Sequence, residues 1–340
     1  MIDTAAAAVT TALTDQALMD FCARHGLPMP LAQEPIVAGR NSKVTRLSNL
    51  SNDGRQWILK QYYPQGPQER DRLGVEFAFL QSLQRLGVAT VAQPIGMDRA
   101  LHSALYSPLP GQRPEAVTAD LITQAAQFIA AINVNADALA PAADACVAWQ
   151  DHLALTRVRL TQLMAMTPQS ALEEQAHALV AERFMPLWKG LESSLNAQAQ
   201  ALPQGTQILS PSDFGFHNTL AHRGRLSFVD FEYAGWDDAA KLICDFICQP
   251  ALPISAAQGA QFVTELQAEL PQLEAIGARV ERLLPVHRLK WCCILLNEFR
   301  PEYRQRRIHA GLAAEDLQAT QLLKASDYFD SHLTHHSGIN

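Results

Sequence analysis

The chain has 340 residues, 48% hydrophobic and 18% charged, enough for a large core and, by length, for about two lobes. A net charge of -7 and a pI near 5.9 exclude the basic excess with which nonspecific nucleic-acid or anionic-membrane binders release counterions. The start, MIDTAAAAVTTAL, has no Lys or Arg before Arg24, and no run approaches ~18 apolar residues, so neither a signal peptide nor a membrane span is expected and the cytoplasm is the expected location.

Residues 1 to 34 read as a helical extension, with Leu13, Leu18, Phe21 and Cys22 at roughly helical spacing before Gly26, Pro28 and Pro30 end it. Strand patterns follow, VTRLSNL and QWILKQYY, joined at Ser51-Asn52-Asp53-Gly54, where Asp-Gly signals a hairpin. Ahead of them, Ala38-Gly39-Arg40-Asn41-Ser42-Lys43 is a small polar turn able to lie over phosphates, a weak signal alone. Arg70 to Leu86 has helical period, with Leu73, Phe77, Leu80 and Leu83 on one stripe and Glu76 among them. A carboxylate facing a core needs a cation, and Lys60, ending WILK, is the candidate; equally, Glu76 could lie at the stripe's edge in water. Short strands around Val88 to Pro94 and Ser103 to Ser107 precede Pro108-Leu109-Pro110-Gly111, which reads as a connector between lobes.

Beyond it the pattern is helical: Ala116 to Ile132, Ala145 to Met166, and Ser170 to Ala201 with Pro186 as a kink or break. Later helices are expected near Asp238 to Cys248, Ser255 to Leu270, Pro285 to Phe299 and Ala313 to Tyr328. Six cysteines, Cys22, Cys146, Cys244, Cys248, Cys292 and Cys293, form no CxxC pair and read as free buried thiols.

Inside this helical region, Leu209 to Glu232, LSPSDFGFHNTLAHRGRLSFVDFE, reads as loop, hairpin and second loop, the turn lying at His222-Arg223-Gly224-Arg225. Asp213 and Asn218 share the first loop, and Asp230 ends the return strand. Three such oxygen-bearing side chains suit a hard cation like magnesium, which takes few carboxylates together with phosphate oxygens and water.

Together these features resemble the aminoglycoside phosphotransferase and choline kinase family, over about residues 35 to 250. Asp-x4-Asn in SDFGFHN, paired with the aspartate of VDFEYAG after a hairpin, is the most specific part. The resemblance implies an α+β, two-lobed protein-kinase-like fold. Its nucleotide-binding lobe would span 35–107, its hinge 108–112, and its helical C-terminal lobe 113–340, with the catalytic hairpin at 207–232. It also implies Mg-dependent transfer of the γ-phosphoryl of ATP or GTP to a hydroxyl of a small molecule such as a sugar, sugar derivative or amino alcohol. Asp213 would be the catalytic aspartate, and Asn218 and Asp230 would hold magnesium. Lys60, held by Glu76, would meet the α and β phosphates. Asn41 and Ser42 would lie in the phosphate-covering turn, and the Ser107 carbonyl and Leu109 amide would face the nucleotide base. The chain departs from the family at Pro211 and Gly215, where relatives carry histidines that brace the loop. Leu242 stands where a supporting aspartate is usual, with Asp245 one turn late.

For the acceptor, Glu232, Asp237 and Asp238 are expected near the cleft, although charge at a helix N-terminus explains them as well. Lys290, Asn297 and Arg304, at intervals of seven, either line an acceptor pocket or meet solvent, and YRQRR at Arg304 to Arg307 is a basic cluster suited to an acidic or phosphorylated acceptor. Two other readings are a silent nucleotide-binding regulator of the same fold, and a protein kinase. The second is disfavoured because no Ala-Pro-Glu motif follows Asp230.

Overall fold

The computed structural model describes residues 11–36, 41–50, 54–64, 70–197, 205–310 and 317–334. A short strand β1 (Thr11–Ala12) leads into helix α1 (Gln16–Arg24), started by the Asp15 carboxylate, which accepts from the Leu18 amide at 3.1 Å. After Pro28 and Pro30 the chain is extended as β2 (Leu31–Ile36), which pairs with both β1 and β3 (Ser42–Asn49). Residues 11–34 are thus no detached helical extension. Helix α1 has only nine residues and places Leu18, Phe21 and Cys22 on the sheet beside Leu31, Leu47, Leu59 and Leu105.

Strand β4 (Gln56–Tyr62) pairs antiparallel with β3, with Ser48 opposite Gln56, the register of a hairpin whose turn residues 51–53 lie outside the described residues. Helix α2 (Arg72–Arg85) crosses next, and β5 (Pro94–Asp98) and β6 (Ser103–Tyr106) complete a sheet of order β1-β2-β3-β4-β6-β5. The period of two divides its faces: Leu59 and Leu105 meet α1, while Tyr62, Ala104 and Tyr106 meet α2 and the main core. The strand expected at Val88 to Pro94 begins only at Pro94. Val88 to Gln93 instead crosses to the hairpin beyond the hinge, where the Thr90 carbonyl accepts from the Phe228 amide at 2.8 Å.

The remainder is mainly helical. Helices α3 (Ala119–Asn133) and α4 (Trp149–Met164) fall where the apolar period places them. Between α5 (Ala171–Leu179) and α6 (Met185–Ala197) the helix widens into a π-turn at Val180–Phe184. Pro186 lacks an N–H and its ring crowds the carbonyl four residues back, which accounts for the widening. Strand β7 (Gln207–Ser210) leads to the hairpin β8 (Thr219–His222) and β9 (Arg225–Phe228), and β10 (Gly235–Asp238) returns to pair with β7.

Helices α7 (Ala239–Cys248) and α8 (Ala256–Glu269) are capped by Asp238 and Ser255. Helix α9 (Ile276–Leu295) starts nine residues before the expected Pro285, because apolar packing of Ile276, Val280 and Leu283 carries it through that proline. It tightens into a 3-10 turn at Leu296–Phe299, after which α10 (Pro301–His309) and α11 (Leu317–Leu333) follow; residues 313–316 of the expected last helix lie outside the described residues. All six cysteines are buried and free. Among the described residues no helix is long and apolar enough to cross a membrane.

An aromatic stack carries the hairpin. Phe128 of α3 lies 4.0 Å from Phe228 between centroids, Phe214 lies 5.3 Å from Phe246, and Phe246 lies 4.1 Å from Phe262. Connector residue Gly111, at φ 111, brings its backbone against this hairpin, and a Cβ there would sit 2.5 Å from the Ala221 carbonyl oxygen. Because Phe21 is fully buried, Phe21→Ala is expected to cost about 3–5 kcal/mol. Urea unfolding measures this as a lower midpoint; a loss under about 1 kcal/mol would remove α1 from the core of the sheet.

Candidate active site

The inward alternation of β4 aims Lys60 beneath the sheet, where α2 presents Glu76 from its apolar stripe. The Lys60 Nζ donates to Glu76 Oε2 and to Asp230 Oδ1, both at 2.7 Å. The open choice for Glu76 thus falls to a buried ion pair rather than the solvent edge. Glu76 also accepts from the Tyr62 hydroxyl at 2.7 Å and from the Phe231 amide at 3.3 Å. Burial alone would lower the Lys60 pKa, but Asp230 and Glu76 outweigh it and hold the ammonium well above its ordinary value, so it stays charged.

Asp230 follows β9 with φ 70, a left-handed backbone costly for a side chain with a Cβ, and its carboxyl is 32% exposed. The Val229 amide donates to the Asn218 carbonyl at 3.0 Å, which joins the two loops expected to bear oxygen ligands. The Asn218 amide nitrogen donates to the Asp213 carbonyl at 3.0 Å, leaving its side-chain oxygen as the atom to offer a cation. One amide oxygen and one carboxylate match a magnesium ion that keeps phosphate and water oxygens.

Asp213 follows Ser212, whose φ is also positive at 69. His217 Nε2 lies 3.2 Å from Asp213 Oδ1, and the aspartate carboxyl is 37% exposed, open to a substrate. Burial raises the Asp213 pKa, and the charge and hydrogen bond of His217 overcome that and hold it below the ordinary carboxylate value. The departure at 215 thereby gains a physical account. A Cβ on Gly215 would lie 2.8 Å from His217 Nδ1, so a glycine at 215 and a histidine at 217 go together.

The second brace is Lys241 of α7, whose buried Nζ donates to Ser212 Oγ at 3.3 Å and to Asp237 Oδ2 at 2.8 Å. Asp245 lies 3.6 Å from Lys241 and 2.5 Å from Lys290, and its carboxyl is held far below the usual range: burial raises it, Lys290 and then Lys241 prevail. Asp245 therefore supports the loop through Lys241. Neither His217 nor Lys241 stood out in the sequence. The signal for Lys241 was a lysine in the apolar run AAKLICDFIC with an aspartate one turn to each side.

Asn41 donates to Glu232 Oε1 at 2.8 Å and to the Tyr233 hydroxyl at 3.1 Å, and accepts from Arg307 at 3.3 Å, so the polar turn meets the segment after Asp230. Ser42 beside it is buried, with its hydroxyl unpartnered; Ala38, Gly39 and Arg40 lie outside the described residues. Ser107 commits its amide to the Gln93 carbonyl at 2.9 Å and its hydroxyl to the Gln93 amide at 2.8 Å, which turns its carbonyl and the half-buried Leu109 along the connector.

Several residues expected at the acceptor lie elsewhere. Asp237 and Asp238 are fully buried. Asp237 is held by Lys241 and by the Cys146 amide at 2.8 Å, while Asp238 caps α7 and meets His152 at 2.9 Å and Arg279. Lys290 is sequestered by Asp245, and the interval of seven ends with α9, since Asn297 is buried in the 3-10 turn and Arg304 lies on α10, 3.6 Å from Glu173. Glu232 does stay beside the centre. It is buried with Oε2 unpartnered, and burial, then Asp230, push its carboxyl up.

A sheet lobe and a helical lobe meeting at a buried Lys-Glu-Asp set, with a loop aspartate alongside, define a phosphotransferase of protein-kinase-like fold. The model of the phosphotransferase enzyme family, APH, matches residues 33–271, and the chain belongs to that family. No curated protein sequence matches it. Among solved structures it resembles a choline kinase from Cryptosporidium parvum Iowa II, with TM-score 0.63, 10% identity, and coverage of 96% of this chain and 98% of that one. A spectinomycin phosphotransferase bound to ADP and spectinomycin aligns at TM-score 0.61 with 12% identity over 95% and 94% of the two chains. An amicoumacin kinase in complex with AMP-PNP, Ca2+ and Ami aligns at 0.53 with 13% identity over 94% of each.

Lys241→Met leaves Asp237 and Asp245 buried without their shared cation, so a loss of about 3–5 kcal/mol is expected at neutral pH. A carboxylate with a depressed folded pKa stabilises above its unfolded pKa and ceases to as pH falls through the folded value. Without Lys241 that depression shrinks, so the variant's deficit should narrow on acidification, as urea melts across pH measure; a pH-independent deficit would exclude this brace.

Proposed function

We propose that the protein transfers the γ-phosphoryl of ATP or GTP, with Mg2+, to a hydroxyl of a small metabolite in the cytoplasm, the acceptor being a sugar, sugar derivative or amino alcohol. The observation that carries this reading is the Lys60 ammonium held between Glu76 and Asp230 next to an accessible Asp213. Buried and charged, Lys60 is suited to nucleotide phosphates, and Glu76 fixes its position through the reaction. Magnesium, when bound, neutralises charge on the transferring phosphoryl group. Asn218 and Asp230 would hold it.

Asp213, kept ionised by His217, orients the acceptor hydroxyl and takes its proton. Loose phosphoryl-transfer transition states need position and charge neutralisation more than covalent help, which suits a site built of fixed charges. Asn41 and Ser42 would cover the phosphates, and the Ser107 carbonyl and Leu109 amide would receive the base. The ADP and AMP-PNP in the spectinomycin phosphotransferase and the amicoumacin kinase support a nucleotide co-substrate.

The reading is tested by ADP release on a metabolite pool, with Asp213→Ala as blank; absence of magnesium-dependent release would leave a silent nucleotide-binding protein. Asp213→Asn is expected to lower kcat roughly 10²-fold or more with little change in nucleotide affinity. Asp230→Ala should weaken Mg-ATP binding by isothermal titration, and unchanged affinity would refute its metal role. Because Asp213 is held below the ordinary carboxylate pKa, its active form persists on acidification until that lowered value. His217→Leu should therefore move the acidic limb of kcat/KM upward.

A further inference from the structure

With Asp237, Asp238 and Lys290 sequestered in the interior, arginines approach the segment that follows Asp230. Arg72 opens α2, is 6% exposed, and has no hydrogen-bond partner for Nε or Nη1; its closest carboxylate oxygen, on Glu232, is 3.6 Å away. Its guanidinium lies 5.3 Å above the ring of Tyr233, which Arg70 also approaches at 5.5 Å. Tyr233 is three residues past Asp230, and its electrostatic neighbours include Asp213 and Asp230, so this wall borders the reacting groups.

The wall continues onto the helical lobe. The Ala143 amide donates to the Tyr233 carbonyl at 2.9 Å, and Asp144 beside it bridges Arg70 at 3.6 Å and Arg159 of α4 at 3.1 Å. Arg159 Nε is buried without a partner, and Arg159 reaches Tyr303 of α10, over which Arg306 lies at 5.2 Å. Buried guanidinium N–H groups without acceptors are costly. Their planar fork matches a carboxylate or phosphate better than any neutral or cationic group. Arg72, with two such N–H groups, lies against Tyr233, and Arg159 is linked to the same segment through Asp144 and Arg70.

We infer that the acceptor carries an anionic group, a carboxylate or a phosphate, which the wall of Arg72 and Arg159 receives while the acceptor's hydroxyl faces Asp213. Resting on the phosphotransferase reading, this narrows its acceptor classes to an acidic sugar derivative or similar hydroxylated acid, and excludes a purely cationic amino alcohol.

The test fractionates a metabolite extract at neutral pH on anion and cation exchangers and assays each fraction for Mg-ATP-dependent ADP release above the Asp213→Ala blank. Acceptor activity should stay on the anion exchanger. Phosphatase treatment of that fraction, followed by removal of the phosphatase, separates the two sources: lost activity marks a phosphate, retained activity a carboxylate. Arg159→Gln or Arg72→Gln should raise the KM for the retained acceptor roughly tenfold or more, with the KM for ATP little changed. Activity confined to the flow-through or the cation exchanger would overturn the inference and leave the kinase reading intact. So would a change in the KM for ATP alone, or an unchanged acceptor KM in both variants. No release from any fraction would overturn the kinase reading itself, and the inference with it.

Discussion

The structure depends on one buried cation. Lys60 sits under the sheet between Glu76 of α2 and Asp230 of the post-hairpin loop, so a single ammonium fixes three segments far apart in sequence. Ion pairs of this kind are poor sources of net stability, because desolvation cancels most of the attraction. Removing one member is costly all the same, since it strands the others. Their worth here is geometric. Glu76 has no slack, being also bound to the Tyr62 hydroxyl and the Phe231 amide, and Tyr62 in turn meets the Tyr106 hydroxyl at 2.8 Å. The sheet lobe, the connector's approach and the hairpin loop thus share one polar knot within an apolar surround.

Around that knot the loop of Asp213 is braced in a way suited to this chain. Relatives of the family use histidines at the positions of Pro211 and Gly215. Here the imidazole comes from His217, and the absent side chain at 215 is what gives it room. Beneath, Phe214 joins an aromatic stack with Phe128, Phe228 and Phe246, and Lys241 ties Ser212 to a pair of buried aspartates. Two positive-φ residues, Ser212 and Asp230, flank the centre, and both strained backbones are held by these supports.

Much of this was legible in the sequence. Spacing within SDFGFHN and VDFE located Asp213, Asn218 and Asp230, because a loop-hairpin-loop of fixed length leaves little freedom in how its ends meet. Glu76 in an apolar stripe left a choice between pairing with Lys60 and the solvent edge, which the packing settled. The acceptor residues were less legible. An interval of seven from Lys290 to Arg304 presumes one continuous helix, and the break at Leu296–Phe299 removes that premise. Asp238 looked like a free acid because its partners, His152 and Arg279, come from two remote helices that sequence alone does not bring together, and the i,i+4 spacing of Asp237 and Lys241 was passed over.

By itself, then, the sequence determined the succession of a sheet region and a helical region and the local sets of acids, since these follow from periods, turns and spacings within a few residues. Only the tertiary structure decided which charges are neutralised inside and which remain at the mouth of the site. Burial depends on packing between remote segments, so the same aspartate can be a ligand or a cap. That sorting placed Lys241 and Asp237 within the support of the loop, joined α1 to the sheet, and left individual guanidinium N–H groups of Arg72 and Arg159 without a hydrogen bond.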